Sequence, residues 1–214
     1  MKTLLHVVAS PRGERSHSSR AAEKFVAQLV EQKPGFGIDR LDLWEVSLPA
    51  FDGELLDAKY AVLGKTKFSP EQELAWQAVE AMVRRLDAAD ALLISTPMWN
   101  MSIPYRLKHY LDLVTQPGLS FAFNPEAGYR PLLRSRPAIA IIATSGDFST
   151  GSSWGRPNLA GPHLQQALKF IGFLDPEVML VGPTVGEHEK ISNGVSRVEA
   201  RLAEVMPDIR GALS

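Results

Sequence analysis

The run from Ile94 to Leu107, Ile-Ser-Thr-Pro-Met-Trp-Asn-Met-Ser-Ile-Pro-Tyr-Arg-Leu, collects side chains suited to a flat ligand. Met98 offers a soft apolar surface, Trp99 an aromatic plane, and Asn100 an amide that both donates and accepts hydrogen bonds. An apolar stretch stops there and a helical pattern begins. The strand's last amides and the positive end of the incoming helix therefore converge on one spot, which suits a flat or anionic ligand. Taken alone, the stretch is equally an ordinary loop joining strand to helix.

Two further stretches have the same placement. Ser10 to Ser19 is polar and rich in hydroxyls, and Ala22, Phe25, Val26, Leu29 and Val30 follow at helical spacing. Serine hydroxyls and free amides at a helix N-terminus can hold a phosphate without any lysine, although these serines can equally serve only as caps. Thr144-Ser145-Gly146-Asp147-Phe148 is a glycine-containing loop directly after the apolar run Ala138–Ala143. Neither nucleotide fingerprint is present: Gly64-Lys65-Thr66 lacks a glycine five residues before its own, and no G-x-G-x-x-G occurs.

These loops need a scaffold, and the pattern supplies one. Strands are predicted over Thr3–Ala9, Ile38–Trp44, Ala91–Ser95, Ala138–Ala143 and Val178–Val181, mostly as near-continuous apolar runs of the kind buried on both sheet faces. Between them lie amphipathic helices. One is opened by the capping box Ser69-Pro70-Glu71-Gln72, one begins near Ile103, one opens at Gly161-Pro162 and stops at Gly172, and one carries Ile191, Val195, Val198, Leu202 and Val205. Glu45–Lys67 reads as a long irregular segment, a cover or a partner contact. Leu119–Ser135, with Phe121, Phe123 and Tyr129, reads as a small hairpin or an oligomer contact. Arg84, Arg85 and Asp87 read as a solvated helix face.

Strand and helix alternating about five times specify a doubly wound α/β domain over residues 1–214, with a five-stranded parallel sheet and helices on both faces. Such folds bind ligands beyond the carboxyl ends of their strands, and the flavodoxin-like version holds a flavin mononucleotide there. The three loops, after the first, third and fourth strands, share that edge.

With 214 residues, 45% hydrophobic and 22% charged, the composition is that of an ordinary soluble globular protein. A formal net charge of -1 gives no electrostatic reason to expect nucleic acid or a membrane surface. The absence of cysteine excludes disulfides, thiolate metal sites and cysteine nucleophiles. The apolar stretch in Met1–Ser10 is too short for a signal peptide and is broken by His6, and no run is long enough to span a bilayer, so the expected location is the cytoplasm. No metal site is expected, because Glu187-His188-Glu189 lacks zinc-ligand spacing and the other histidines fall on strands and helices.

A rival chemistry is written in Gly151-Ser152-Ser153-Trp154-Gly155, which matches the hydrolase pattern G-x-S-x-G and is followed by Asp175 and His188. A nucleophile elbow needs its serine on a sharp turn straight off a strand, whereas a polar loop separates Ala143 from this motif.

Along its whole length the chain resembles the FMN-dependent NADH azoreductases and quinone reductases of the flavodoxin-like superfamily. The resemblance is carried by Ser10 with Ser16-His17-Ser18, by Pro97-Met98-Trp99-Asn100 with Leu107-Lys108-His109-Tyr110-Leu111-Asp112, and by Thr144-Ser145-Gly146. It implies that Ser10, Ser16, His17 and Ser18 bind the FMN phosphate, His17 mainly through its backbone. It further implies that Pro97, Met98, Trp99, Asn100 and Met101 line a face and edge of the ring, and that Ser145, Gly146, Asp147 and Phe148 sit by its pyrimidine end. Two positions depart from the family: Trp99 stands where tyrosine is common, and Gly146-Asp147-Phe148 where an Arg-Gly-Gly run is. The implied activity is ping-pong transfer of a hydride from NADH or NADPH, through flavin N5, to quinone, azo or nitroaromatic acceptors. No catalytic side chain is required beyond tuning by Asn100 and Gly146. The family also implies a homodimer with the site at the interface. The alternative is a non-enzymatic FMN protein, either an electron carrier or a regulatory module; flavodoxin carriers are usually strongly acidic, and this chain is nearly neutral.

Overall fold

The computed structural model describes residues 1–173 and 175–214. In chain order, β1 (Thr3–Val8) is followed by a single 3-10 turn at Gly13–Arg15 and α1 (His17–Gln32), then β2 (Gly37–Asp42), α2 (Gly53–Gly64), α3 (Pro70–Ala88), β3 (Ala91–Pro97) and α4 (Tyr105–Val114). A hairpin of β4 (Phe121–Asn124) and β5 (Gly128–Pro131) precedes β6 (Ala138–Ala143). A very short hairpin of β7 (Ser152–Ser153) and β8 (Arg156–Pro157) precedes α5 (Ala160–Ile171), β9 (Glu177–Val181) and α6 (His188–Ala212).

The main sheet has the order β2-β1-β3-β6-β9 with every pairing parallel. Counted within the sheet this is 2-1-3-4-5, the flavodoxin-like doubly wound order. Because successive strand residues point to opposite faces, each central strand feeds two cores. Leu5, Val7, Leu92, Ile94, Ala140 and Ile142 pack beneath α2 to α5. Leu4, Leu93, Ile139, Ile141, Met179 and Val181 pack beneath α1 and α6. Each fully buried aliphatic side chain contributes about 1.5–3 kcal/mol of transfer free energy, so this two-faced burial fixes the strand register.

Helix starts follow local chemistry. Ser16 caps α1 by accepting a hydrogen bond from the Ser19 amide at 3.2 Å. At α3, Ser69 and Gln72 form the reciprocal capping box, with Pro70 in the first turn. Gly172 ends α5 with φ 129.

Three expectations change. Part of the segment read as irregular is helical, α2, but its apolar residues encircle the helix: Leu55 and Ala58 are buried while Tyr60 and Leu63 are exposed, so no stripe marks it. The helix expected near Ile103 starts at Tyr105, because Pro104 is extended (φ -60, ψ 149) and serves as its cap. Arg85 and Asp87 are not simply solvated. Arg85 donates to both carboxylate oxygens of Asp39, at 2.9 and 2.6 Å, and Asp87 accepts from the buried Arg136 at 3.2 Å; Arg84 does face solvent. The hairpin expected within Leu119–Ser135 is β4–β5. No helix among the described residues is long and apolar enough to cross a membrane.

Candidate functional site

Parallel pairing aligns the carboxyl ends of β1, β3 and β6, and backbone bonds tie the loops that leave them. The Ala9 amide donates to the Ser95 carbonyl at 2.8 Å, the Met98 amide to Ala143 at 2.8 Å, and the Thr144 amide to Val181 at 2.9 Å. The three sequence-predicted loops are therefore neighbours on one sheet edge.

Beyond β3 the chain makes a two-residue turn. Trp99 and Ser102 exchange both backbone bonds, at 2.8 and 3.0 Å, while Asn100 and Met101 between them have φ of 49 and 70. Left-handed backbone at both central residues defines a type I′ turn, which asparagine tolerates and methionine does not favour. The surrounding bonds impose it, including one from the Leu159 amide to the Met101 carbonyl at 3.0 Å. The result presents large apolar groups to solvent: Trp99 and Met101 are each 37% exposed. Asn100 is exposed, with no hydrogen-bond partner for its side-chain amide among the described residues. Behind Trp99 stands Trp44, 5.9 Å away between ring centroids, itself edge-on to Tyr105 at 5.6 Å and capped by the Arg106 guanidinium at 5.7 Å. Arg106 also donates to the carbonyls of Leu43 and Val46, fixing this aromatic brace.

The loop after β6 is held by Thr144, whose hydroxyl donates to the Gly146 carbonyl at 2.9 Å and whose carbonyl accepts from the Thr184 amide and hydroxyl at 3.0 Å. Gly146 is buried, and a Cβ there would overlap the Ser153 hydroxyl and stand 3.0 Å from Nη2 of Arg156. The missing side chain of Gly146 is thus the space in which β7–β8 seats itself. Asp147 turns toward α6: Arg197 pairs with it at 3.3 Å, and its carboxyl is held below the usual range by the amide and hydroxyl of Ser149 and then by Arg197.

Met98, Trp99, Asn100, Met101, Ser145, Phe148 and Arg156 line a cavity of about 480 Å³. Six of these seven are sequence-predicted. Gly146 and Asp147 are adjacent to it without lining it, and Pro97, at the end of β3, supports the turn. Arg156 and the brace residue Trp44 escaped the sequence reading. The turn carrying Arg156 is the dipeptide Trp154-Gly155, again with both φ positive (49 and 76), and a tryptophan in that position hides the turn signal.

The loop after β1 forms a separate cluster of donors at the N-terminus of α1. Ser10, Ser16 and Ser18 are buried, the hydroxyls of Ser16 and Ser18 lie 3.1 Å apart, and the buried Ser19 hydroxyl has no partner among the described residues. His17 Nδ1 engages Arg20 at 3.0 Å; burial first, then Arg20 and Arg12, lower its pKa, which favours the neutral ring. Free helix amides, clustered hydroxyls and neighbouring guanidinium groups suit a phosphate, and the exposed aromatic turn suits a flat ring. A phosphorylated flavin therefore fits this donor set.

Ser153, the serine of the hydrolase pattern, is 95% buried by its 5% exposure, sits within a short hairpin strand, and packs on Gly146. It is not on a strand-to-helix elbow, so the nucleophile reading has no geometric basis.

A family model described as flavodoxin-like fold matches residues 2–204. An FMN-dependent NADH:quinone oxidoreductase 1 of Bradyrhizobium diazoefficiens is 41% identical, covering 96% of this chain and 98% of its own length. An FMN-dependent NADH:quinone oxidoreductase of Nitratidesulfovibrio vulgaris is 38% identical, covering 98% and 97%. Among solved structures, an azoreductase from Bacillus anthracis superposes with a TM-score of 0.84 at 22% identity, covering 96% of this chain and 99% of its own. An FMN-dependent NADH-azoreductase from the same species, solved with FMN, gives 0.82 at 20% identity.

Proposed function

The chain belongs to the family of FMN-dependent NADH:quinone oxidoreductases with the flavodoxin-like fold, and from that premise we propose that it uses NADH or NADPH to reduce quinones, azo compounds and nitroaromatics in a ping-pong cycle. The observation that carries the reading is the cavity at the carboxyl edge of the sheet, where a strained turn holds Trp99 and Met101 open to solvent beside Ser145 and Phe148.

In this reading Ser10, Ser16, His17 and Ser18 hold the FMN phosphate by hydroxyls and helix amides. Trp99, with Met98 and Met101, supplies the apolar wall for the ring, and Pro97 fixes where that wall begins. Bound FMN supplies hydride transfer through N5, from the nicotinamide to the acceptor. The Asn100 amide and the backbone amides of Ser145, Gly146, Asp147 and Phe148 would offer hydrogen-bond donors to the pyrimidine end of the ring, where a reduced flavin carries negative charge. Asp147, paired with Arg197, leaves that end free of an uncompensated carboxylate.

The chain acts as a homodimer whose second copy closes the site. What supports this is the set of large apolar side chains left in solvent: Tyr60 (67%), Leu63 (51%), Phe123 (55%) and Tyr129 (63%). The reaction is tested by mixing purified protein with FMN and NADH anaerobically and following flavin bleaching, then adding a quinone. Bleaching by NADH with reoxidation by quinone is expected; FMN that stays unbound and oxidised refutes it.

A further inference from the structure

Among the described residues Arg156 is the one cation lining the cavity, and neither sequence pattern nor family resemblance points to it. Its placement is built rather than incidental. The β7–β8 hairpin carries it back over the Gly146 loop, and Ser153 is buried in the space left by the missing Gly146 side chain. The guanidinium lies beside that loop: Nε donates a long hydrogen bond to the Ser153 carbonyl at 3.4 Å, and Nη2 stands 3.0 Å from where a Gly146 Cβ would be. No carboxylate pairs with Arg156 among the described residues, and the loop's own carboxylate, Asp147, is engaged by Arg197 on the other side. A cation at the Ser145–Phe148 end of the cavity is therefore left uncompensated.

We propose that Arg156 is a tuning residue which, from the Ser145–Phe148 end of the cavity, binds the reduced, anionic form of the flavin more strongly than the oxidised form. The proposal rests on the reading that FMN occupies this cavity with its pyrimidine end by that loop. A fixed cation stabilises whichever state of its neighbour carries negative charge, so Arg156 raises the flavin's reduction potential and makes hydride uptake from the nicotinamide easier. Because Arg156 is exposed, the effect is that of an accessible ion pair. About fivefold tighter binding of reduced over oxidised FMN is expected, equivalent to about 20 mV in a two-electron couple.

The test compares wild type, Arg156→Gln and Arg156→Lys as FMN-loaded proteins. The midpoint potential is measured against a reference dye, and the dissociation constants of oxidised and of reduced FMN are measured by anaerobic titration. Arg156→Gln should lower the potential by about 20 mV, with reduced FMN weakened about fivefold more than oxidised, and Arg156→Lys should recover most of the shift because it keeps the charge. An unchanged potential, equal weakening of both FMN forms, or a Lys variant as impaired as the Gln variant would overturn the proposal. So would an effect confined to the KM of a sulfonated acceptor, which would assign Arg156 to the acceptor instead. If wild-type protein binds FMN and only these shifts are missing, the tuning role alone fails; if wild type binds no FMN, the proposed function fails with it.

Discussion

Gly146 offers a sharp test of how the site is assembled. Its backbone is not in the left-handed region, so an alanine there brings no conformational strain, only a methyl group. That methyl would overlap the Ser153 hydroxyl, lie 2.9 Å from the Ser153 Cβ, and lie 3.0 Å from Arg156 Nη2. Ordinary carbon contacts are about 3.5–4.0 Å, so rotating the hydroxyl away is not enough and the hairpin must retreat by roughly half an ångström or more. Overpacking of this kind costs about 1–3 kcal/mol. Ser153→Gly removes both clashing atoms at a cost of about 0.5–1 kcal/mol for the added backbone freedom. In the double variant one methyl-sized group replaces another in the same space, so its destabilisation should fall short of the sum of the two single costs by about 1 kcal/mol or more. Urea unfolding of the four proteins measures this coupling, and FMN titration should follow it, with Gly146→Ala weakening binding and the double variant regaining most of it. Strict additivity, or a Gly146→Ala variant as stable and as tight-binding as wild type, would refute this account of the loop.

Asn100→Ala should weaken FMN binding or slow flavin reduction by NADH severalfold without changing the unfolding midpoint, since its amide is unpartnered and exposed; stopped-flow reduction and thermal melts separate the two effects. Met101→Gly should relieve left-handed strain of about 1 kcal/mol and leave stability equal or higher, while removing part of the apolar wall and weakening FMN binding, as read by calorimetric titration. His6 is buried against Ser95, its Nε2 3.0 Å from the hydroxyl, and burial first and then Arg40 push its pKa from 6.5 down to about 4, with Asp42 opposing. The unfolded chain therefore takes up the proton first. The neutral ring's contribution is fully present above pH 6.5, and about 3 kcal/mol of it is lost as the pH falls to about 4. In His6→Gln, unfolding free energy measured across that window should decline less steeply than in wild type by this amount, and parallel curves would contradict the assignment.

The sheet was legible because a doubly covered parallel strand writes itself as an apolar run, as Ala138–Ala143 and Ala91–Ser95 do. Loops at such strand ends were equally legible, and the three that were singled out do share an edge. What the pattern concealed has physical causes. Helix α2 buries only part of an apolar surface that runs around it, so no periodicity announces it. Two type I′ turns use Asn100-Met101 and Trp154-Gly155 rather than the usual asparagine-glycine pair; the first is held by a tertiary bond from the Leu159 amide to the Met101 carbonyl, and the second keeps its glycine but hides it behind a tryptophan. Arg156 lies ten residues beyond Gly146 and reaches the cavity only through the second of these turns. The role of Gly146 also differs from the usual reading of a loop glycine: its bare face receives Ser153, not a ligand. Trp99 could be read as a plane from sequence, but its brace of Trp44, Tyr105 and Arg106 could not, because those residues meet only when the segment after β2 packs on the start of α4.

The central claim is that the edge formed by the loops after β1, β3 and β6 holds FMN. An anaerobic titration of the ligand-free protein with FMN, followed by flavin fluorescence and then by NADH addition, tests it most directly. Saturable quenching at one FMN per chain, lost when Ser16 and Ser18 are both replaced by Ala, and bleaching of the bound flavin by NADH are the predicted results. Flavin fluorescence and absorption that remain those of free FMN at every protein concentration would contradict the account.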